Sequence, residues 1–305
     1  MTRRRRPGRA FTGPGASAAT TARQLVRGMA GGLLLGMPPL FTMEMWFQGF
    51  LMAPLKIVVL IVFTFLIVIG YGAFCGFRRE RTWPDLIIDC VQTMGLAALV
   101  AAFALWLIGR IGPGTGLLEA MGKIGLQMIP ISLGISLAGA QLADPEDQGD
   151  EAADLGTEFS TPEFGAFGRL FVAAGAALFL SLNVAPTEET LFLAVGGSWW
   201  LMVLVVAASL LMSYAIVFYA DFRGGRRRTR RDTLLDYPLT ETVVAYGVSL
   251  LVSALLVWSF GRTAGTPPYT IVAQIVVLGV VAAFGAAAGR LLLGSGGAGG
   301  GNGKP

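Results

Sequence analysis

Eight apolar stretches recur along the chain, at residues 27–52, 55–77, 86–109, 117–140, 167–185, 190–220, 239–260 and 270–293. Each approaches the roughly 20 residues a helix needs to cross a hydrocarbon core. The whole chain is 54% hydrophobic and 14% charged over 305 residues, where a soluble domain carries about a quarter charged. That surplus has to meet lipid, so the expectation is an all-α polytopic membrane protein with about eight transmembrane helices. The fourth stretch is interrupted by Glu119, Lys123, Gln127 and Pro130. It is counted as a span because the internal repeat described below needs a partner for the eighth.

The chain has no histidine and only two cysteines, Cys75 and Cys90. Ser-His-Asp and Cys-His catalytic sets, HExxH zinc sites and histidine-ligated haem are therefore excluded. Two thiols this far apart form neither a disulfide framework nor a CxxC centre. No nucleophile and base pair is recognisable, so the chain is not read as an enzyme, and no cofactor or metal is expected.

Most of the 23 basic residues fall on one side if the N-terminus is placed inside. These are the arginines at 3–6, 9, 23, 27, 78, 79, 81 and 169, the run 223–231, Arg290 and Lys304, while Lys56, Arg110 and Arg262 fall outside. The bias predicts a bacterial inner-membrane protein with both termini cytoplasmic. The basic start lacks the apolar core of a signal peptide. It reads as a topogenic or anionic-lipid contact rather than a nucleic-acid site. Residues 144–163 carry eight acids and no base, the composition of a disordered linker. The expected organisation is a basic segment 1–24, a membrane unit 25–140, an acidic linker 141–164, a second membrane unit 165–293 and a flexible Gly-rich tail 294–305.

The two membrane units match. At an offset of 152, Asp89 through Gly95 overlays Glu241 through Gly247, and Trp106-x-x-Gly109-Arg110 overlays Trp258-x-x-Gly261-Arg262. At an offset of 145, Thr42-x-Glu44 overlays Thr187-x-Glu189, and Phe77-Arg78 overlays Phe222-Arg223. Gly28, Gly32 and Gly36 fall on Ala173, Ala177 and Ser181, one small-residue stripe per unit of the kind that lets helices approach closely in lipid. Such stripes serve either packing inside one chain or a homodimer. Four helices per unit is an even number, so the expectation is two parallel four-helix repeats.

Carboxylates inside a membrane cost roughly 2.5 to 3.5 kcal/mol each on insertion scales and mark functional candidates. Glu44, Asp89, Glu189 and Glu241 form two matched pairs. Asp89 and Glu241 lie near the predicted cytoplasmic loops, where a helix dipole alone stabilises an acid. Glu44 and Glu189 follow Met37-Pro38-Pro39 and Val184-Ala185-Pro186, which interrupt helical hydrogen bonding. In one reading Thr42, Glu44, Thr187 and Glu189 open a second helical piece and offer oxygens to a proton or hard cation. In the other the first helix ends at the prolines and these residues sit in an outer loop. Glu119, Lys123 and Gln127 recur every four residues and form a secondary polar face, with Ile271, Ile275 and Gly279 as their expected counterparts. Trp46, Trp106, Trp199, Trp200 and Trp258 gather at the predicted outer boundary as interface anchors, with Trp83 at the inner one.

The motifs Pro39-Leu-Phe-Thr-Met-Glu-Met-Trp46 and Asn183-Val-Ala-Pro-Thr-Glu-Glu189 resemble those of an uncharacterised family of bacterial integral membrane proteins, a domain of unknown function. The resemblance implies a multi-pass membrane protein and supplies no catalytic residues. The residues themselves favour a transporter or channel for protons or a small cation, with lipid as the surrounding partner and no nucleic acid. The alternative is a non-transporting scaffold or accessory subunit.

Overall fold

The computed structural model describes residues 14–75, 83–141, 162–223 and 237–295. Residues 1–13, most of the acidic linker, the basic run after Arg223 and the tail after Ser295 lie outside the described residues. The described chain is all-α and contains no strand. Its helices are α1 (Pro14–Leu40), α2 (Met43–Leu51), α3 (Pro54–Cys75), α4 (Trp83–Leu107), α5 (Leu117–Gln141), α6 (Pro162–Leu182), α7 (Glu189–Gly196), α8 (Trp199–Arg223), α9 (Pro238–Ser259) and α10 (Pro268–Ser295). Each half runs long, short, long, long, long.

Among the described residues six helices, α3, α4, α5, α8, α9 and α10, are long and apolar enough to cross a membrane. The described apolar parts of α1 and α6, Gly28–Leu40 and Gly168–Leu182, are shorter, so six of the eight expected spans are shown among the described residues. Two predicted boundaries also change. The stretch 27–52 divides into α1 and α2 after Pro38-Pro39, and 190–220 divides into α7 and α8 at Gly197-Ser198. The interrupted fourth stretch, by contrast, is one helix. Pro130 lies inside it, with Lys123 and Gln127 buried and Glu119 half-buried.

Within the first half α5 packs on α1, α2, α3 and α4, and within the second α10 packs on α6, α7, α8 and α9. The small-residue stripe explains the first of these packings. Gly28, Gly32 and Gly36 lie against Ile131 and Ile135, and Gly134 lies against Gly31 and Gly32. In the second half Gly285 lies against Ala176 and Ala177. The stripes are used inside the chain. The main core joins the halves through α3 and α6, with Leu60, Ile67, Val68 and Tyr71 meeting Val172, Ala173, Ala177 and Leu178. Cys90 is buried in that core as an apolar group.

The matched Trp-x-x-Gly-Arg segments are helix stops. Gly109 and Gly261 both take a left-handed backbone, with φ of 72° and 76°. Arg110 N–H donates to Leu105 O at 2.8 Å, and Arg262 N–H donates to Val257 O at 3.0 Å. This is the glycine-centred Schellman closure, and it turns each arginine back over its own half.

Candidate functional site

Three polar assemblies interrupt the apolar bundle. The first is the pair of proline breaks. A proline inside a helix removes a backbone donor, so carbonyls near the break need other partners. In the first half Thr42 Oγ1 donates to Pro38 O at 2.7 Å and Trp46 Nε1 donates to Leu40 O at 2.8 Å. The Arg110 guanidinium lies over the Trp46 ring, 4.3 Å from its centroid. In the second half Arg262 itself enters the break. Its Nη1 donates to Glu188 Oε1 at 2.9 Å, and Nη2 reaches Pro186 O and Thr187 O at 3.0 Å each.

The breaks therefore restart as short helices, as the first reading of the motifs expected, but their oxygens are largely occupied. Glu44 is half-buried at the start of α2, and Glu189 is exposed at the start of α7. The Thr187 hydroxyl sits between Val184 O, at 2.7 Å, and the Glu189 carboxylate. That hydroxyl, then the helix-start backbone and Arg262, hold the Glu189 carboxyl below the usual carboxylate range. The two carboxylates occupy separate places, since α2 packs on α5 and α7 on α10.

The second assembly is the stripe on α5. Lys123 is buried, pairs with Glu119 one turn away, and donates to Arg110 O at 3.0 Å. Gln127, also buried, donates to Gly36 O at 3.1 Å. The stripe thus braces α5 against α1 and the α4–α5 connection. Helix order and sequence offset give its counterparts differently. Helix α10 begins at Pro268, 151 positions after Leu117 begins α5. Gly122 against Gly49 likewise corresponds to Ala273 clustered with Ala194. Counted from the helix starts, Glu119, Lys123 and Gln127 align with Thr270, Gln274 and Leu278, one position before the Ile271, Ile275 and Gly279 given by the sequence offset. Gln274 is fully buried, and neither atom of its amide head has a hydrogen-bond partner among the described residues.

The third assembly is an ionic pair between α6 and α9. Arg169 of α6 and Glu241 of α9 approach with Nε–Oε1 at 3.9 Å, and each side chain is 9% exposed. They line a small cavity of about 30 Å³ with Ser213, Thr242, Tyr246 and the alanines of α10, room for a water-sized occupant. Ser213 Oγ is buried and has no hydrogen-bond partner among the described residues. Ser209 Oγ donates to Tyr246 Oη at 3.1 Å beside it.

At the matching positions of the first half stand Gln24, Asp89, Val68, Cys90 and Met94. The last three are buried apolar groups. Asp89 is half-buried on α4. Sequence reasoning marked Glu241 but counted Arg169 only as a loop charge. The available signal was an arginine seven residues inside an apolar helix, combined with Ser209 and Ser213 spaced four apart on α8.

Trp106, Trp199 and Trp200 are exposed on the bundle, in keeping with boundary anchors. Trp46 and Trp258 have further contacts, since Lys56 Nζ donates to Trp258 O at 2.8 Å and lies over its ring. Among the described residues no group of three or more acids and cysteines is placed to hold a metal ion.

Comparison with curated proteins finds no match. Comparison with solved structures finds none either. The family described as "Putative integral membrane protein (DUF2391)" matches residues 24–293, which takes in every helix from the apolar part of α1 nearly to the end of α10. With six membrane-length helices and this match over most of its length, the chain belongs to that family of integral membrane proteins.

Proposed function

We propose that the protein is a transporter or channel for protons or a small cation, in which Glu241 is the exchanging carboxylate and Arg169 its internal counter-charge. The observation that carries this reading is the buried Arg169–Glu241 pair beside a cavity with an unpartnered Ser213 hydroxyl. An ionic pair within an apolar helix bundle is expensive, and such pairs commonly mark ion or proton paths. In the resting arrangement Arg169 neutralises Glu241. A proton or cation arriving at Glu241 replaces that neutralisation, so occupancy of the site and the Arg169 contact compete. Thr187 and Glu189 lie by Arg262, past the other end of α9 from Glu241, and in this reading they and Thr42 and Glu44 belong to the opposite end of the path, with Asp89 as the first-half equivalent of Glu241.

The reading includes two parallel repeats of four long helices, each with a short helix at its break. It also includes insertion in a bacterial inner membrane with the basic segments facing the cytoplasm. Support for the repeats comes from the shared helix order, the paired glycine stops and the recurring packing partners.

Flux into proteoliposomes under pH and cation gradients tests the proposal. Glu241→Gln is expected to abolish flux, with Glu241→Asp as the folding control. Undiminished flux in folded Glu241→Gln overturns the assignment. The alternative reading, a non-transporting scaffold or accessory subunit, is favoured by the Arg262–Glu188 clasp and the exposed position of Glu189. It predicts that a Glu44→Gln/Glu189→Gln variant loses stability in detergent and that no variant changes flux.

A further inference from the structure

The contact between the two halves is one-sided. Helix α3 covers α6 and touches α9, whereas among the described residues no comparable contact joins their counterparts, α8 to α1 and α4. A surface that recognises a different surface on an equivalent unit is heterologous, and it leaves one copy of each surface free at the ends of the array. We propose that a second copy of this chain, in the same membrane orientation, fills them, with α8 of one chain seated on α1 and the Trp106 end of α4 of the next.

The side chains at the free surfaces carry the argument. Inside the chain Gly70 receives the Phe171 ring, and Gly175 receives Ile67 and Tyr71. The equivalents of the first pair are Ala215 and Val26, and those of the second set are Ala30, Met212 and Ile216. At both points the glycine gains a methyl group while an aromatic ring opposite it is replaced by a smaller aliphatic side chain. Volume is exchanged across the prospective contact, as close packing requires. A fluid lipid environment imposes no such pairing. The tie between Lys56 and Trp258 has as its equivalents Leu201 and Trp106, both exposed apolar groups. Val26 and Met212 are also exposed, and α8 is the least covered of the six membrane-length helices.

Such an interface places the α8 face of one chain opposite the α1 face of another and never against itself. It also requires a symmetry axis along the membrane normal, since both copies insert the same way. The proposal rests on the equivalence of the two halves and is independent of whether anything is transported.

Cysteine cross-linking of the full chain in membranes tests it. Chains carrying Ala30→Cys and chains carrying Met212→Cys, in a Cys75→Ala/Cys90→Ala background, are expressed separately and together. The expected result is a mixed dimer at least tenfold above either variant alone, unchanged by tenfold dilution with lipid. Met212→Cys chains linking to one another, or a mixed product that vanishes on dilution, overturns the proposal. Single-molecule photobleaching of the unsubstituted chain in lipid provides a second readout. One bleaching step per particle means that lipid covers the face, and that also overturns it.

Discussion

Arg262 reaches across the loop after α9 to donate to Glu188 at 2.9 Å, and the same guanidinium serves the Pro186 and Thr187 carbonyls. The arginine is 14% exposed and Glu188 is 62% exposed. Most of the value of the clasp therefore lies in the carbonyl bonds, because an exposed ion pair is worth about 0–1 kcal/mol. Arg262→Ala is expected to destabilise by about 2–4 kcal/mol, since it leaves break carbonyls unsatisfied. Glu188→Gln should cost less than about 1 kcal/mol. Thermal unfolding of both variants in detergent checks the order, and equal losses would contradict it.

In the first half the equivalent arginine acts through an aromatic ring. Trp46→Phe keeps an apolar ring but removes the bond to Leu40 O, an expected loss of about 1 kcal/mol. Arg110→Ala removes the contact with the Trp46 ring, worth about 0.5–1 kcal/mol at a partly exposed site. The two residues touch, so their losses should combine non-additively in a double-mutant cycle.

Gly122 is the point of closest approach between α2 and α5. An added methyl group would be driven into the Gly49 carbonyl oxygen, and backbone cannot swing aside as a side chain can. Gly122→Ala is expected to cost about 3 kcal/mol or more, at the upper end for overpacking. Gly95, also helical, has nothing near an added methyl group. Gly95→Ala should be neutral or stabilising by up to about 1 kcal/mol. Denaturation of the two variants side by side tests the contrast.

Glu189 gives a pH prediction. Its carboxyl lies below the usual range when folded, so its stabilisation is present above the unfolded value and is lost as pH falls through the folded one. The stability difference between the native chain and Glu189→Gln should be constant from neutrality to about pH 5 and shrink below it. Thr187→Ala should raise the Glu189 value, as carbon-labelled glutamate titration would show. A group that stays ionised throughout this range does not cycle protons near neutrality.

Local signals in this chain carried far. The recurring Trp-x-x-Gly-Arg was legible as a match and proved to be a helix stop, because a left-handed residue strongly prefers glycine, and the prolines marked both breaks because their missing donor acts within one turn. The ownership of the short helices was less legible. Met43–Leu51 and Glu189–Gly196 are apolar enough to merge with either neighbouring helix, and only the bend at Pro54 or at Gly197-Ser198 separates them. The counterpart of Lys123 differs between sequence offset and helix order for a related reason. The connection before α10 is one residue shorter than that before α5, and a loop deletion leaves no periodic trace. Arg169 and Glu241 are 72 positions apart and come together only through the packing of α6 on α9. Gln24 and Asp89 stand at the matching sequence positions, so comparison of the two halves could not supply the pair.

The burial of Tyr71 and Gly70 beneath α6 also bears on the order of assembly during synthesis. Val172 and Phe171, which cover them, leave the ribosome nearly a hundred residues after α3. A nascent chain ending in the linker would hold five helices with one seam still open to lipid. Closing that seam is the task of α6, which makes its arrival, rather than the completion of the first half, the event that commits the chain to its final shape.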